Sequence, residues 1–263
     1  MVSIEKTNEW MKKASSMKEL AERLLHYFKG SSKSASRSLI EHLQAHGMFR
    51  FWPDALQTMA SLEKNDIFQA VEQEERILQM RWNGPDVPIF ILPVDERNRK
   101  IRVEFGSKSG LAFSDKLFLF LSADLPRSSI SAIMTHEYNH VCRLENMPKE
   151  EKKMTLLDTI ILEGIAEYAV FERLGEAETA AWTSYYSEKQ LCHFQDRFVK
   201  PHFELRRHDN RLFSNILFGK GPYPDMVGYA VGYSIVKKYL SARNLKVADV
   251  LSFPSEDFIK LSL

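Results

Sequence analysis

Two histidines four positions apart, His136 and His140, with Glu137 directly after the first, are the residues of this chain best suited to chemistry. On a helix, residues i and i+4 lie one above the other, so both imidazoles can aim at one metal ion. Glu137 follows His136 by about 100° around the helix axis, which sets its carboxylate at the rim of such a site rather than on the metal. From there it can take a proton from a water at the metal. A tetrahedral zinc ion with one position left for water needs a third protein ligand. Twenty-three positions past His140 comes Glu163-Gly164-Ile165-Ala166-Glu167, inside an otherwise apolar segment. Carboxylates there are costly unless paired or metal-bound, and Glu163 can supply the third ligand. Asp158 is a rival, but it lies about 140° from Glu163 on the same helix, so the two cannot both face the metal. These residue types in this pattern point to metal-dependent hydrolysis.

The neighbours of these residues carry further expectations. Glu167, one turn past Glu163, can accept a hydrogen bond from the non-ligating nitrogen of a metal-bound histidine, fixing its tautomer. An ion pair with Arg143 or Arg173 is the plainer alternative. Gly164 permits a close backbone approach, expected to be toward the motif helix. Cys142, two positions past His140, points away from the histidine stripe and is expected not to bind metal.

The elements that must position this site are legible in outline. A helix is expected over about Asn8 to Lys29, then the Ser-rich run Ser31 to Ser38 and a second helix around Arg37 to His46. Apolar residues at helical spacing predict a third helix from about Pro53 to Met80, closed by Asn83-Gly84-Pro85. Val87 to Pro93, an apolar run bounded by prolines, reads as a strand. Lys100 to Phe105 alternates Ile101, Val103 and Phe105 with charged residues and reads as a second strand, Gly106 to Asp115 as a loop, and Lys116 to Ser122 as a third strand. Such a sheet is too small for a doubly wound domain. Ser128 or Ser129 can cap the motif helix, which is expected to run to about Glu145 before Met147-Pro148. The helix holding Glu163 is expected from about Lys153 to Leu174, stopped by Gly175. Everything from Glu178 onward reads mainly helical, interrupted at Pro201 and between Gly219 and Gly228.

Bulk properties narrow the partners. The 263 residues are 44% apolar and 27% charged, with a net charge of +1. That is an ordinary globular composition with no global attraction for nucleic acid or acidic lipid. No stretch nears the roughly 18 apolar residues of a membrane span. The polar start, Met1 to Met17, lacks the apolar core of a signal peptide. Two cysteines, Cys142 and Cys192, make no disulfide framework. A cytoplasmic protein acting with neither nucleic acid nor membrane is expected. The sequence does not set its oligomeric state.

The motif followed by E-G-x-A-E-Y resembles the gluzincin metallopeptidases, whose third ligand is a glutamate on the helix after the motif helix. The fuller pattern is similar to a bacterial family of predicted Zn-dependent proteases (YjaZ-like). It shares T-H-E-Y-N-H, L-L-D-x-x-x-x-E-G-x-A-E-Y and a late G-Y-A-V-G-Y-S-I-V at Gly228 to Val236, and the likeness covers roughly residues 85 to 245. The spacer between the motif and Glu163 is somewhat longer than in well-known gluzincins.

The resemblance implies a zinc peptidase in which His136, His140 and Glu163 hold Zn2+, Glu137 is the general base and Glu167 supports the ligands from behind. A second donor for the developing oxyanion is usually Tyr or His in such enzymes. Tyr229 is the first candidate, with His208 and Tyr233 as alternatives; a tyrosine merely packed in its helix is the competing reading. The implied fold is α+β and zincin-like. It would have an N-terminal helical region (1–84), an upper lobe of small mixed sheet and motif helix (85–150), and a mainly helical C-terminal lobe carrying Glu163 (151–263), with zinc in the cleft. A peptide or protein substrate would lie extended along an edge strand. The Gly110 to Ser122 segment is either that edge or a buried core strand. Two other readings stay open: a metal-dependent hydrolase of a non-peptide amide, and a zinc-stabilised binding module without activity.

Overall fold

A computed structural model describes residues 4–28, 35–206 and 211–260. The protein is α+β, mostly helical with one three-stranded mixed sheet. It divides into two compact units between Glu137 and Tyr138.

In the first unit, helices α1 (Thr7–Lys13), α2 (Met17–Leu24), α3 (Ser36–Ala45), α4 (Trp52–Lys64) and α5 (Ile67–Trp82) precede β1 (Ile89–Pro93). Then follow α6 (Arg99–Glu104), β2 (Lys108–Ala112), β3 (Leu117–Leu121) and the start of α7 (Arg127–Asn146). Two expected long helices are each broken. The first is interrupted where Ala14 turns extended and the Ser16 side chain caps α2 by accepting from Glu19 N. The stretch from Pro53 to Met80 splits at Asn65–Asp66, where Asp66 adopts a left-handed φ of 54°. Ser31 to Ser34 of the Ser-rich run lie outside the described residues.

The sheet has the order β1-β3-β2, with β1 parallel and β2 antiparallel to β3. β1 and β3 are buried at every position, as their unbroken apolar runs require of strands covered on both faces. Phe90 stacks on Phe118 with centroids 4.6 Å apart, and Tyr27 meets Phe90 edge-on at 4.7 Å. Leu117 to Leu121 is thus the central strand, not the edge. The edge is β2, half-buried along its length.

The strand expected over Lys100 to Phe105 is helix α6 instead. Asn98 caps it, its side chain accepting from Lys100 N and Ile101 N. Of the three alternating apolar residues only Ile101 is buried; Val103 and Phe105 are 66% and 41% exposed, so no sheet face claims them. The third strand is formed by the Gly- and Ser-rich stretch that reads as a loop.

The second unit continues α7 and adds α8 (Leu156–Leu174), α9 (Glu188–Phe194), α10 (Arg211–Phe218), α11 (Val227–Arg243) and α12 (Val247–Val250). A capping box starts α8: Thr155 Oγ1 accepts from Asp158 N while the Asp158 carboxylate accepts from Thr155 N. Gly175, at φ 88°, ends it. α8 and α11 cross at near backbone contact. A Cβ on Gly232 would sit 2.0 Å from the Ile160 carbonyl oxygen, and one on Gly164 would sit 2.5 Å from that of Gly232. The close approach expected of Gly164 is therefore to α11, through this pair of glycines, rather than to the motif helix.

Candidate metal centre

α7 carries His136, Glu137 and His140. Ile130, Met134, Tyr138, Val141 and Cys142 give it a fully buried apolar side, and the burial spreads nearly all round between Met134 and Arg143. Between Ile130 and Leu144 the positions that still reach solvent, Ile133, His136 and Leu144, form one stripe, with the buried His140 on the same line. This middle stretch of the helix therefore presents both imidazoles along one strip while its other sides hold it in place. In the second unit, His140 Nε2 lies 3.6 Å from Glu163 Oε2. With His136, one turn back on α7, these residues each offer a ligand atom within 4.8 Å of the others. Two imidazoles and a carboxylate suit a zinc ion, and three protein ligands leave a position open. His136, His140 and Glu163 form a cluster that could hold a metal.

Glu137 is 8% exposed and its side chain lies against the main chain of β2. A Cβ on Gly110 would stand 2.3 Å from its Cδ and 2.6 Å from its Oε1. Sequence reasoning missed this contact: a glycine inside a strand signals close approach, but Gly110 reads there as part of a loop.

Glu167 is buried on α8, and its Oε1 accepts from the backbone N–H of Ala180 at 2.5 Å. That bond anchors the segment leading into the 3-10 turn Ala181–Ser184. Arg143, offered above as an ion-pair partner for Glu167, spends its guanidinium elsewhere. It donates to the carbonyls of Val250 and Leu251 at 3.2 Å and of Phe253 at 3.0 Å, tying the end of α7 to the chain's last turns. Burial lowers its pKa to about 10, against the opposing pull of Asp158 and Glu256.

Asp158 has a structural task. Besides capping α8, it pairs with Lys149 and accepts from Ser255 Oγ at 2.9 Å. Burial raises its pKa, but these donors outweigh it and the net shift is downward. Cys142 is fully buried, and burial pushes its thiol up to about 12, so it stays protonated and a poor ligand.

Two of the three oxyanion-donor candidates are described. Tyr229, on the first turn of α11, is half-buried and meets Trp182 edge-on at 5.4 Å and Phe218 at 5.7 Å. Tyr233 is 6% exposed, packed on Trp182 and Tyr168; burial and the nearby Glu167 charge push its phenol well up. His208 lies outside the described residues.

A small mixed sheet, a helix presenting two histidines and a following helix presenting a glutamate define an α+β protein with a His-His-Glu candidate metal centre. Residues 67–260 match the family described as Predicted Zn-dependent protease (DUF2268), and the chain belongs to that family. It is 52% identical over 262 residues, 100% of each chain, to Uncharacterized protein YjaZ of Bacillus subtilis (strain 168). Uncharacterized protein YjfC of the same organism is 23% identical over 189 residues, which are 69% of this chain and 62% of that one. No solved structure matches. Among the described residues, no helix is long and apolar enough to cross a membrane.

Proposed function

We propose that the protein is a zinc-dependent peptidase in which His136, His140 and Glu163 hold the ion and Glu137 carries the proton. The observation behind this reading is the gathering of three ligand atoms within 4.8 Å of one another, with Glu137 next in sequence to one ligand and nearly buried. The family description, which names zinc and proteolysis, supports it. A zinc ion in such a donor set supplies Lewis acidity, which polarises a peptide carbonyl and brings the ionisation of water close to neutral pH.

The chain's own residues do the rest. Glu137 accepts the proton of the attacking water and hands it to the leaving amine nitrogen. Its burial strengthens this exchange, because little solvent competes for the carboxylate. Tyr229, half-buried where Tyr233 is nearly enclosed, is the residue we assign to donate to the developing oxyanion. A substrate peptide adds to the side of β2 away from β3, where main-chain groups bind extended backbone without demanding a sequence.

The test is zinc content together with cleavage of a quenched random-peptide library, for wild type and Glu137→Gln side by side. One zinc per chain in both, with cleavage by wild type alone, is the expected result. Zinc in both with cleavage in neither would sink the peptidase reading and shift weight to a non-peptide amide or a zinc-stabilised binding module.

A further inference from the structure

We infer that Gly110 is a positioning residue for Glu137: the space left by its missing side chain is where the glutamate lies, and the identity of this one strand residue sets where the carboxylate stands. The inference rests on the reading of Glu137 as proton carrier and adds the element that aims it.

Gly110 is the middle residue of β2 and pairs with Leu119 of β3, so its other side is the outer edge of the sheet. A Cβ built there would lie 2.3 Å from Glu137 Cδ, 2.4 Å from Cγ and 2.6 Å from Oε1. Carbon atoms in ordinary contact stand about 3.5–4 Å apart, so the glutamate fills the volume that any other residue's first carbon would take. Backbone freedom is not what requires glycine here, because Gly110, unlike Gly47 and Gly106, has no left-handed φ. The three atoms nearest that Cβ all belong to the Glu137 side chain, and none is backbone. An alanine at position 110 would therefore leave the strand intact and drive out the carboxylate, by about 1 Å or more if the contact is to relax to van der Waals distance.

The experiment uses the full chain loaded with zinc. Gly110→Ala should keep one zinc per chain and an unchanged KM while kcat falls about a hundredfold, the scale of an ångström misplacement. In a Glu137→Ala background the same substitution should cost no melting temperature, because the side chain it meets has gone. A kcat within a fewfold of wild type, or equal losses of melting temperature in both backgrounds, overturns the inference. Should Gly110→Ala fail to fold, Gly110→Ala/Glu137→Ala decides: recovery of the wild-type melting temperature supports the clash with Glu137, and persistent unfolding overturns it. Should wild type cleave no peptide, the peptidase reading falls on its own. The positioning claim is then read from a crystal structure of Gly110→Ala, where a displaced Glu137 carboxylate upholds it and an undisturbed one ends it.

Discussion

Glu167 shows how one carboxylate can serve a neighbour and a scaffold at once. Its Oε1 accepts from Ala180 N and its charge is felt at Tyr233, while it lies one turn from Glu163 on the same face of α8. A glutamine at this position keeps a carbonyl oxygen for Ala180 but loses the charge that would raise the basicity of a zinc-bound imidazole. Glu167→Gln is therefore expected to bind zinc 10–100-fold more weakly, on the scale of lost outer-shell partners, with little change in melting temperature. Isothermal titration with zinc checks it. Unchanged affinity would assign Glu167 to holding Ala180 alone. At this scale the two candidate histidine ligands were legible in the sequence because their spacing is local: His136 and His140 share a helix face whatever surrounds it. The bond from Ala180 to Glu167 was not. Ala180 carries no side-chain signal, and only the fold of the segment after α8 brings its N–H to the carboxylate.

Elements show the same division between local pattern and distant contact. The motif helix and the Glu163 helix could be read from apolar periodicity and from stop signals such as Gly175. The assignment of Lys100 to Phe105 went wrong because alternation over six residues fits a helix turn with one buried residue as well as a strand. β2 was missed because Lys108, Ser109 and Gly110 have low strand preference, and pairing with β3 overrides it. The α8–α11 crossing is another long-range fact. With Gly232 against the Ile160 carbonyl, Gly232→Ala must separate the helices, at a cost of about 1–3 kcal/mol. That is a fall of several degrees in melting temperature, at roughly 2–4 °C per kcal/mol for a chain of this size. An unchanged melting temperature would contradict the close crossing. The N-terminal cap of α8 predicts a pH dependence. The Asp158 carboxyl is lowered in the folded state, so its contribution is fully present above its usual value of 3.8 and is lost as pH falls through the lowered one. Asp158→Asn should lose about 1–3 kcal/mol at pH 7. The gap between the two melting curves should shrink as the pH drops below that value. A gap independent of pH would mean the carboxylate charge is irrelevant to the cap.

For the whole molecule, composition bounds the class without reaching the architecture. Two compact units can be seen once distant contacts are known, and nothing in charge or hydropathy marks a boundary between Glu137 and Tyr138, inside one continuous helix. A metal centre makes a demand at this scale that single residues do not. His140 and Glu163 sit on consecutive helices, and their ligand atoms are neighbours only while both helices are folded and packed. The unfolded chain has no reason to hold them together, so an ion that binds there favours the native state by mass action. At a free zinc concentration about a thousand times the dissociation constant, the gain is roughly 4 kcal/mol. That corresponds to a melting temperature higher by about 8–16 °C than in chelator. Where a scan resolves two transitions, the one belonging to the unit that holds His140 and Glu163 is expected to move. Glu137→Gln should show the full shift, since the carboxylate at the rim holds no metal in this reading. Glu163→Ala should show little of it. A wild-type melting curve indifferent to zinc and chelator would refute the metal centre, whatever the enzyme assays report.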